Sequence, residues 1–246
     1  MGGTLLNSFT VLLGSSVGLL IGNRLPARIQ ESVMTGLGLV TLVVGFSNAN
    51  ETGNIILPLL SLVIGAIIGE LLRLDVRLER FAGWLQGRVQ GTAAESAATT
   101  DRRARFIQGF VTASLVFCIG PLAFVGSIQD GMGLDSGFEQ LAIKSVLDLF
   151  ASMAFAASLG VGVLFSVFTV LGVQGGLAVL GALAGDFMTD PMVNEMTAVG
   201  GLILLGLALV LLDIKKPRMV NFLPGLLIAP LLVELATLLG INIYPL

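Results

Sequence analysis

The chain of 246 residues is 55% hydrophobic and 12% charged, with a formal net charge of −3 and a mean hydropathy of +0.96. These values exclude an ordinary soluble domain and predict an all-α polytopic membrane protein, whose first partner is the lipid bilayer. A single cysteine and no histidine argue against a disulfide framework, a metal site or another cofactor, and the small net charge suggests no nucleic-acid partner.

Apolar stretches of about 20 residues predict eight membrane-spanning helices. Three of these helices lie in residues 1–73, and a linker occupies residues 74–104. A two-helix insert, 105–159, and three further helices, 160–246, complete the chain. The predicted spans are 4–22, 33–49, 55–73, 106–127, 138–157, 160–183, 196–213 and 220–242.

The linker begins with an amphipathic pattern. Leu74, Leu78 and Phe81 recur at helical spacing, with arginines on the opposite face. This pattern is typical of a helix lying on an anionic membrane surface, and an ordinary surface helix is the alternative. Residues 91–100 are small and polar, which predicts a tether.

The fourth span is interrupted by Gly120-Pro121. Proline removes one helical hydrogen bond, and in lipid the freed backbone groups must be satisfied by neighbours or by water. The break is therefore a candidate binding point, although a simple packed kink explains it equally well. Ser114 and Cys118 precede the break and belong to the candidate pathway; as a nucleophile, Cys118 is less convincing than as an inert buried thiol.

The fifth span carries Lys144 and Asp148, four residues apart and so on one helix face. Charges within a membrane are costly and usually face the bundle interior or a cavity. The functional interpretation is an ion pair whose partner exchange or protonation gates transport. A permanent salt bridge and a snorkelling lysine are the alternatives. Gln129, at the outer end of the fourth span, is a candidate entrance residue or part of a plain turn.

The last three helices repeat motifs of the first three. Phe9-Thr10-Val11-Leu12 returns as Phe168-Thr169-Val170-Leu171, and Leu57-Pro58 returns as Leu223-Pro224. A pair of copies in opposite orientation is typical of transporters. Chance similarity within an apolar chain is the alternative.

Two acidic residues, Glu70 and Glu234, match between the copies. Arg73 can pair with Glu70, whereas Glu234 has no neighbouring base and is the candidate proton- or cation-binding group. Gln174 joins the candidate pathway, although uncharged polar residues in spans more often hold helices together.

Basic residues predict the orientation. Of the 13 lysines and arginines, all but Lys144 fall in the loops after the first, third and seventh helices. The positive-inside rule places these loops in the cytoplasm and both termini outside it. The first helix then runs inward and the sixth outward, so we expect inverted three-helix repeats flanking the insert.

Several motifs resemble a known family. Cys118-Ile119-Gly120-Pro121, Lys144 with Asp148, Gln174-Gly175 and Asn221-Phe222-Leu223-Pro224 are similar to bacterial membrane proteins called domain of unknown function 554. The resemblance covers essentially the whole chain and implies a multi-pass protein of the bacterial inner membrane, often labelled a transporter. It implies no substrate and no functional residues.

These observations predict a transporter of a small solute or ion, with its site between the repeats and the broken fourth helix. The alternative is a non-transporting scaffold or regulatory protein, recruited through the arginine-rich residues 73–105. No nucleophile–base pair points to an enzyme. Glycine-rich helix faces make a homodimer plausible.

Overall fold

The computed structural model describes residues 1–22, 26–90, 97–118, 121–184 and 189–244. These residues form ten α-helices and a short 3-10 helix, with no strand among them. Within the described ranges, six helices are long and apolar enough to cross a membrane, and up to eight spans result if two bent pairs each count as one. The predicted all-α membrane architecture is therefore confirmed.

In chain order the helices are α1 (Gly2–Gly22), α2 (Ala27–Ala49), α3 (Ile56–Leu72), α4 (Leu74–Gln90), α5 (Ala97–Cys118), α6 (Pro121–Gly131), α7 (Asp135–Leu159), α8 (Gly162–Ala184), α9 (Asp190–Leu211), the 3-10 helix Met219–Phe222 and α10 (Pro224–Leu238).

The predicted fourth span is broken, as expected from its proline. α5 ends at Cys118, α6 begins at Pro121, and the two helix axes differ by 66°. Gly120 lies outside the described residues. α5 also begins earlier than predicted, at Ala97, because alanine and arginine favour a helix beyond the apolar stretch. Residues 97–100 are therefore helical and do not belong to the predicted tether.

The amphipathic segment after the third span is also helical. α4 follows α3 directly, with the axes bent by 54° at Arg73, whose φ of 49° lies in the left-handed region. Ala82 on α4 is buried against Phe106 and Phe110 of α5, whereas Arg80 and Trp84 are exposed. The helix thus has one face on the bundle and one basic, aromatic face away from it.

Helices α1 and α7 approach each other through glycine. Glycines four residues apart on α1 lie on one stripe, and each faces a backbone carbonyl of α7. The facing pairs are Gly14 with Leu149, Gly18 with Met153, and Gly22 with Ala157. The residue numbers of α1 and of α7 rise in the same direction along the interface, so the two helices are parallel.

The first three helices each contact a helix of the last three: α1 contacts α8, α2 contacts α9, and α3 contacts α10. In the second and third pairs, residue numbers rise on one helix while they fall on the other, so these helices are antiparallel. The pairs that establish this are Gly38 with Leu212, Gly45 with Gly201, Gly65 with Gly225, and Gly69 with Asn221. Antiparallel counterparts are what an inverted repeat requires; the repeat itself stays a prediction.

The two largest apolar clusters of the described residues lie within the bundle. The first surrounds α9, where Val199 and Ile203 pack with Met219 and Val220. The second lies between α1, α5, α7 and α8 and includes Phe117 and Phe155. α9 is the most enclosed of the six long spans, with 61% of its apolar window buried against 17% for α2. α2 therefore faces the lipid, and α9 is central.

Candidate functional site

Four buried polar side chains meet where α1, α7 and α8 come together. Asn7, Lys144, Asp148 and Gln174 form what we call the polar cluster. The Lys144 ammonium lies 2.5 Å from Asp148 Oδ2. Asn7 Nδ2 donates to Asp148 Oδ2 at 3.0 Å and to Gln174 Oε1 at 3.3 Å. The cluster therefore connects the first helix, the insert and the sixth predicted span.

The polar cluster is enclosed and deep. Asn7 and Gln174 are 0% exposed, and Lys144 and Asp148 are each 6% exposed. At 1.5 Å per residue, the two charges lie roughly 14 and 20 Å from the start of α7. Asn7, which binds Asp148, lies roughly 8 Å from the start of α1, so the cluster lies inside the end of the bundle where α1 begins. The pairing confirms the predicted contact and excludes a Lys144 that snorkels to the interface.

The amide orientations in the cluster follow from the carboxylate. Because ionised Asp148 only accepts hydrogen bonds, Asn7 must turn its NH2 group toward it, and the same NH2 group then meets the oxygen of Gln174. Among the described residues, Asn7 Oδ1 and Gln174 Nε2 are left without a partner. A buried unpaired polar atom costs about 1–3 kcal/mol. Both unpaired atoms belong to the amides that surround the ion pair.

Of the residues near the break in the fourth span, Cys118 is the one that interacts with the cluster. Cys118 is buried in the second apolar cluster, close enough to Lys144 and Asp148 for electrostatic interaction. The Ser114 hydroxyl donates to Thr169 Oγ1 at 2.9 Å and links α5 to α8. Pro121 is the first residue of α6.

Other predicted site residues lie elsewhere. Glu234 is on the exposed face of α10, whereas its neighbour Val233 faces inward. Gln129 Oε1 accepts hydrogen bonds from Ser136 at 3.0 Å and from Gln140 at 3.1 Å, which ties α6 to α7. The structure therefore brings neither residue to the polar cluster.

The ion-pair partner of Glu70, the glutamate that matches Glu234 in the first copy, also differs from the predicted one. Glu70 pairs with Arg218, at 3.1 Å, and not with the predicted Arg73. Arg218 also lies 3.9 Å from Asp75. The partner comes from the far end of the chain because the 3-10 helix packs against α3.

Two further carboxylates, Asp130 and Glu195, are buried outside the polar cluster. Asp130 is 5% exposed and accepts hydrogen bonds from the backbone N–H groups of Gly3 and Thr4, each at 3.3 Å. A carboxylate at this position stabilises the first turn of α1.

Glu195 was not predicted as a site residue. It is 0% exposed and accepts hydrogen bonds from Thr52 Oγ1 at 2.7 Å and from the Gly53 N–H at 3.0 Å. Burial, together with this carboxylate, raises the pKa of Tyr244 to about 12. Met192, Met196 and Val199 flank Glu195 at helical spacing, and that pattern was the available signal for its burial.

A cavity of about 450 Å³ opens between α4, α5, the end of α9 and the 3-10 helix. Its lining mixes apolar side chains, such as Leu115 and Leu207, with polar ones, such as Glu79, Gln108 and Arg218. None of the four polar-cluster residues lines it. In the part of the chain that the structure describes, no group of three or more His, Cys, Asp or Glu side chains could hold a metal ion.

Comparison with known proteins shows to which family the chain belongs. Residues 2–234 match the family model described as "Protein of unknown function (DUF554)". The chain is 34% identical over 227 residues to "Uncharacterized protein YqgA" of Escherichia coli (strain K12), covering 92% of this chain and 94% of that protein. It is 24% identical over 246 residues to "Uncharacterized membrane protein YdfK" of Bacillus subtilis (strain 168), covering 98% and 100%. No solved structure matches the chain. Since the family model spans nearly all of the sequence, the chain belongs to the DUF554 family of proteins of unknown function.

Proposed function

We propose that this membrane protein transports a small solute or ion across the bacterial inner membrane and that the polar cluster is its working site. The observation that carries the proposal is the ion pair of Lys144 and Asp148, enclosed by Asn7 and Gln174. Ionisable residues at this depth usually mark substrate or ion pathways. Helix packing alone would not require them.

The helix arrangement supports the same proposal. The polar cluster lies between α1 and α8, the first helices of the two proposed repeats, and beside the break between α5 and α6. Transporters place binding sites near mid-membrane, at repeat interfaces and next to broken helices. A two-fold relation between the repeats would allow the site to open to either side.

For orientation, we propose that both termini lie outside the cytoplasm. The start of α1, Asp130 and Glu195 share one end of the bundle, while Glu70 and Arg218 meet at the other. The positive-inside rule assigns the second end, with its arginines, to the cytoplasm. The cavity beside Arg218 would then face the cytoplasm.

A homodimer is also part of the proposal. Most α1 and α2 glycines face helices of their own chain, whereas Gly172 and Gly176 of α8 have open space where a side chain would extend. These two lie one turn apart, with Gly175 beside them, so this face of α8 is the surface that we propose for contact between protomers.

Flux through purified protein in liposomes tests the proposal. The panel spans neutral solutes (glycerol, urea), cations (sodium, potassium) and anions (chloride, acetate). We expect saturable flux of at least one probe, reduced at least about tenfold by Asp148→Asn and by Lys144→Ala, since both remove a charge from the pathway. Asp213→Asn and Lys216→Ala, which break an exposed pair of 2.9 Å, are the matched controls and should leave flux unchanged.

Two outcomes oppose the proposal in different ways. Normal flux in both folded cluster variants would remove the site. The scaffold alternative would be favoured if no probe showed flux and a partner copurified with the protein. Neutralising Arg77, Arg80 and Arg88 should then release that partner.

A further inference from the structure

We propose that an exposed stripe of α4 binds the headgroups of anionic phospholipids. Arg77, Phe81, Trp84 and Arg88 follow one another at spacings of four, three and four residues, so they lie on one side of the helix and form what we call the α4 stripe. The stripe places two aromatic rings between two cations, a pattern that suits the boundary between phosphate groups and acyl chains. Because the stripe lies away from the polar cluster, this inference does not depend on transport.

The structure shows which side of α4 is left for the bilayer. Leu74 and Leu78, which the sequence pattern assigned to the membrane-facing side, pack against the apolar cluster around α9. Ala82, one turn further on, is buried against α5. These side chains are therefore used within the protein. The neighbouring stripe is free, since Phe81 is 45% exposed and Trp84 is 55% exposed.

The stripe begins at the level where the chain leaves the membrane. α3 ends at Leu72 and α4 begins at Leu74. The ion pair of Glu70 with Arg218 lies at this end of the bundle and marks the bilayer surface, since charged groups avoid the hydrocarbon. The 54° bend between the helices then turns α4 toward the plane of that surface. Tryptophan is enriched at this level of membrane proteins, because its ring is apolar and its N–H is polar.

The charges of α4 are separated between its sides. Asp75 and Glu79 line the cavity, where Asp75 lies 3.9 Å from Arg218. Arg77 and Arg88 are exposed, and among the described residues neither lies within ion-pair distance of a carboxylate. The stripe thus carries positive charge that the protein does not compensate. An anionic lipid headgroup, whose phosphate oxygens accept hydrogen bonds from arginine, is its complement.

The aromatic rings fix the stripe to the bundle. Phe81 lies 6.1 Å from Phe110 of α5, measured between ring centroids, and stacks on Trp84 at 5.9 Å. The Arg88 guanidinium lies 5.3 Å from the centroid of the Trp84 ring. An arginine stacked on a ring still presents its N–H donors in the guanidinium plane, where they can bind phosphate oxygens. Arg88 is therefore held in place before a lipid arrives.

Tryptophan fluorescence tests this inference directly, because Trp84 is the only tryptophan of the chain. The full-length protein is reconstituted into vesicles of equal amounts of phosphatidylcholine and phosphatidylglycerol. In one set the phosphatidylglycerol carries brominated acyl chains, and in the other set the phosphatidylcholine does. We expect brominated phosphatidylglycerol to quench Trp84 at least about twofold more strongly, since each arginine near the surface attracts anionic lipid.

Matched double variants show which charges cause the difference. Arg77→Gln with Arg88→Gln should make the two brominated lipids quench equally. Lys215→Gln with Lys216→Gln removes the same charge from exposed positions after α9 and should leave the difference unchanged. High salt provides a measurement on the wild type that needs no variant, because it screens exposed charges and should reduce the difference.

Three results would overturn the inference. The first is equal quenching by the two lipids in the wild type. The second is a lysine variant that loses the difference as fully as the arginine variant does, since lipid would then respond to net charge and not to the stripe. The third is quenching by aqueous acrylamide but by neither lipid, which would place Trp84 in water and leave the stripe to a protein partner.

Discussion

Replacing Asp148 by leucine alone is expected to lower the free energy of unfolding by about 3–5 kcal/mol, because the Lys144 ammonium is then left buried and unpaired. Asn7 Nδ2 loses its acceptor Asp148 Oδ2 at the same time. Thermal unfolding in detergent, followed by circular dichroism, measures the loss. Lys216→Met, at the exposed pair of Lys216 with Asp213, is the matched control and should change stability by less than about 1 kcal/mol.

The double variant Lys144→Met with Asp148→Leu should recover most of this stability, since an apolar pair of similar volume often replaces a buried ion pair without loss. Its transport activity should nevertheless remain absent, because the charges are the proposed working groups. A double variant as unstable as Asp148→Leu would show that the two charges do not act as a pair. A double variant that transports normally would show that the pair is structural.

Replacing Gly18 by leucine is expected to prevent close packing of α1 on α7. A Cβ at this position would overlap the Met153 carbonyl, and backbone cannot move aside as a flexible side chain can. We expect a loss of at least about 3 kcal/mol, seen as a low yield of monodisperse protein and a reduced Tm.

The matched control is Gly36→Leu on α2. That glycine has open space where a side chain would extend, so we expect a change of about 0.5 kcal/mol or less. Equal losses at Gly18 and Gly36 would contradict the packing of α1 against α7.

The spans and their interruptions could be predicted because each depends on local chemistry. Apolar length predicted the helices, and Pro121 predicted the break that the 66° bend confirms. Gly160, with φ +83°, ends α7 within the short turn predicted between two spans. Lys144 and Asp148 could be paired from sequence because a spacing of four residues is itself a contact on a helix.

The rest of the cluster depends on contacts that sequence spacing does not encode. Asn7 is 141 residues from Asp148 and 167 residues from Gln174. An uncharged amide within a span resembles an ordinary interhelical contact when it is considered alone. Their significance comes from the carboxylate that orients them and from the two atoms that are left unpaired.

The sequence also could not predict that Glu234 is exposed and that Glu195 is buried. α10 is apolar on nearly all sides, so periodicity could not tell which face Glu234 occupies; the structure places it on the exposed face. Glu195 lies at a helix start next to acidic loop residues, and its burial depends on Thr52 and Gly53 closing over it.

We expect the polar cluster to open to water as the protein works, and Cys118 can report that opening. Cys118 is 8% exposed and lies within electrostatic range of Lys144 and Asp148, so its reaction with N-ethylmaleimide in membrane vesicles measures access to the cluster. Lys216→Cys in a Cys118→Ala background, at a side chain 73% exposed, sets the rate for full access. We predict slow but complete labelling of Cys118. A thiol that stays unlabelled while the control reacts fully would show that the cluster stays closed to water.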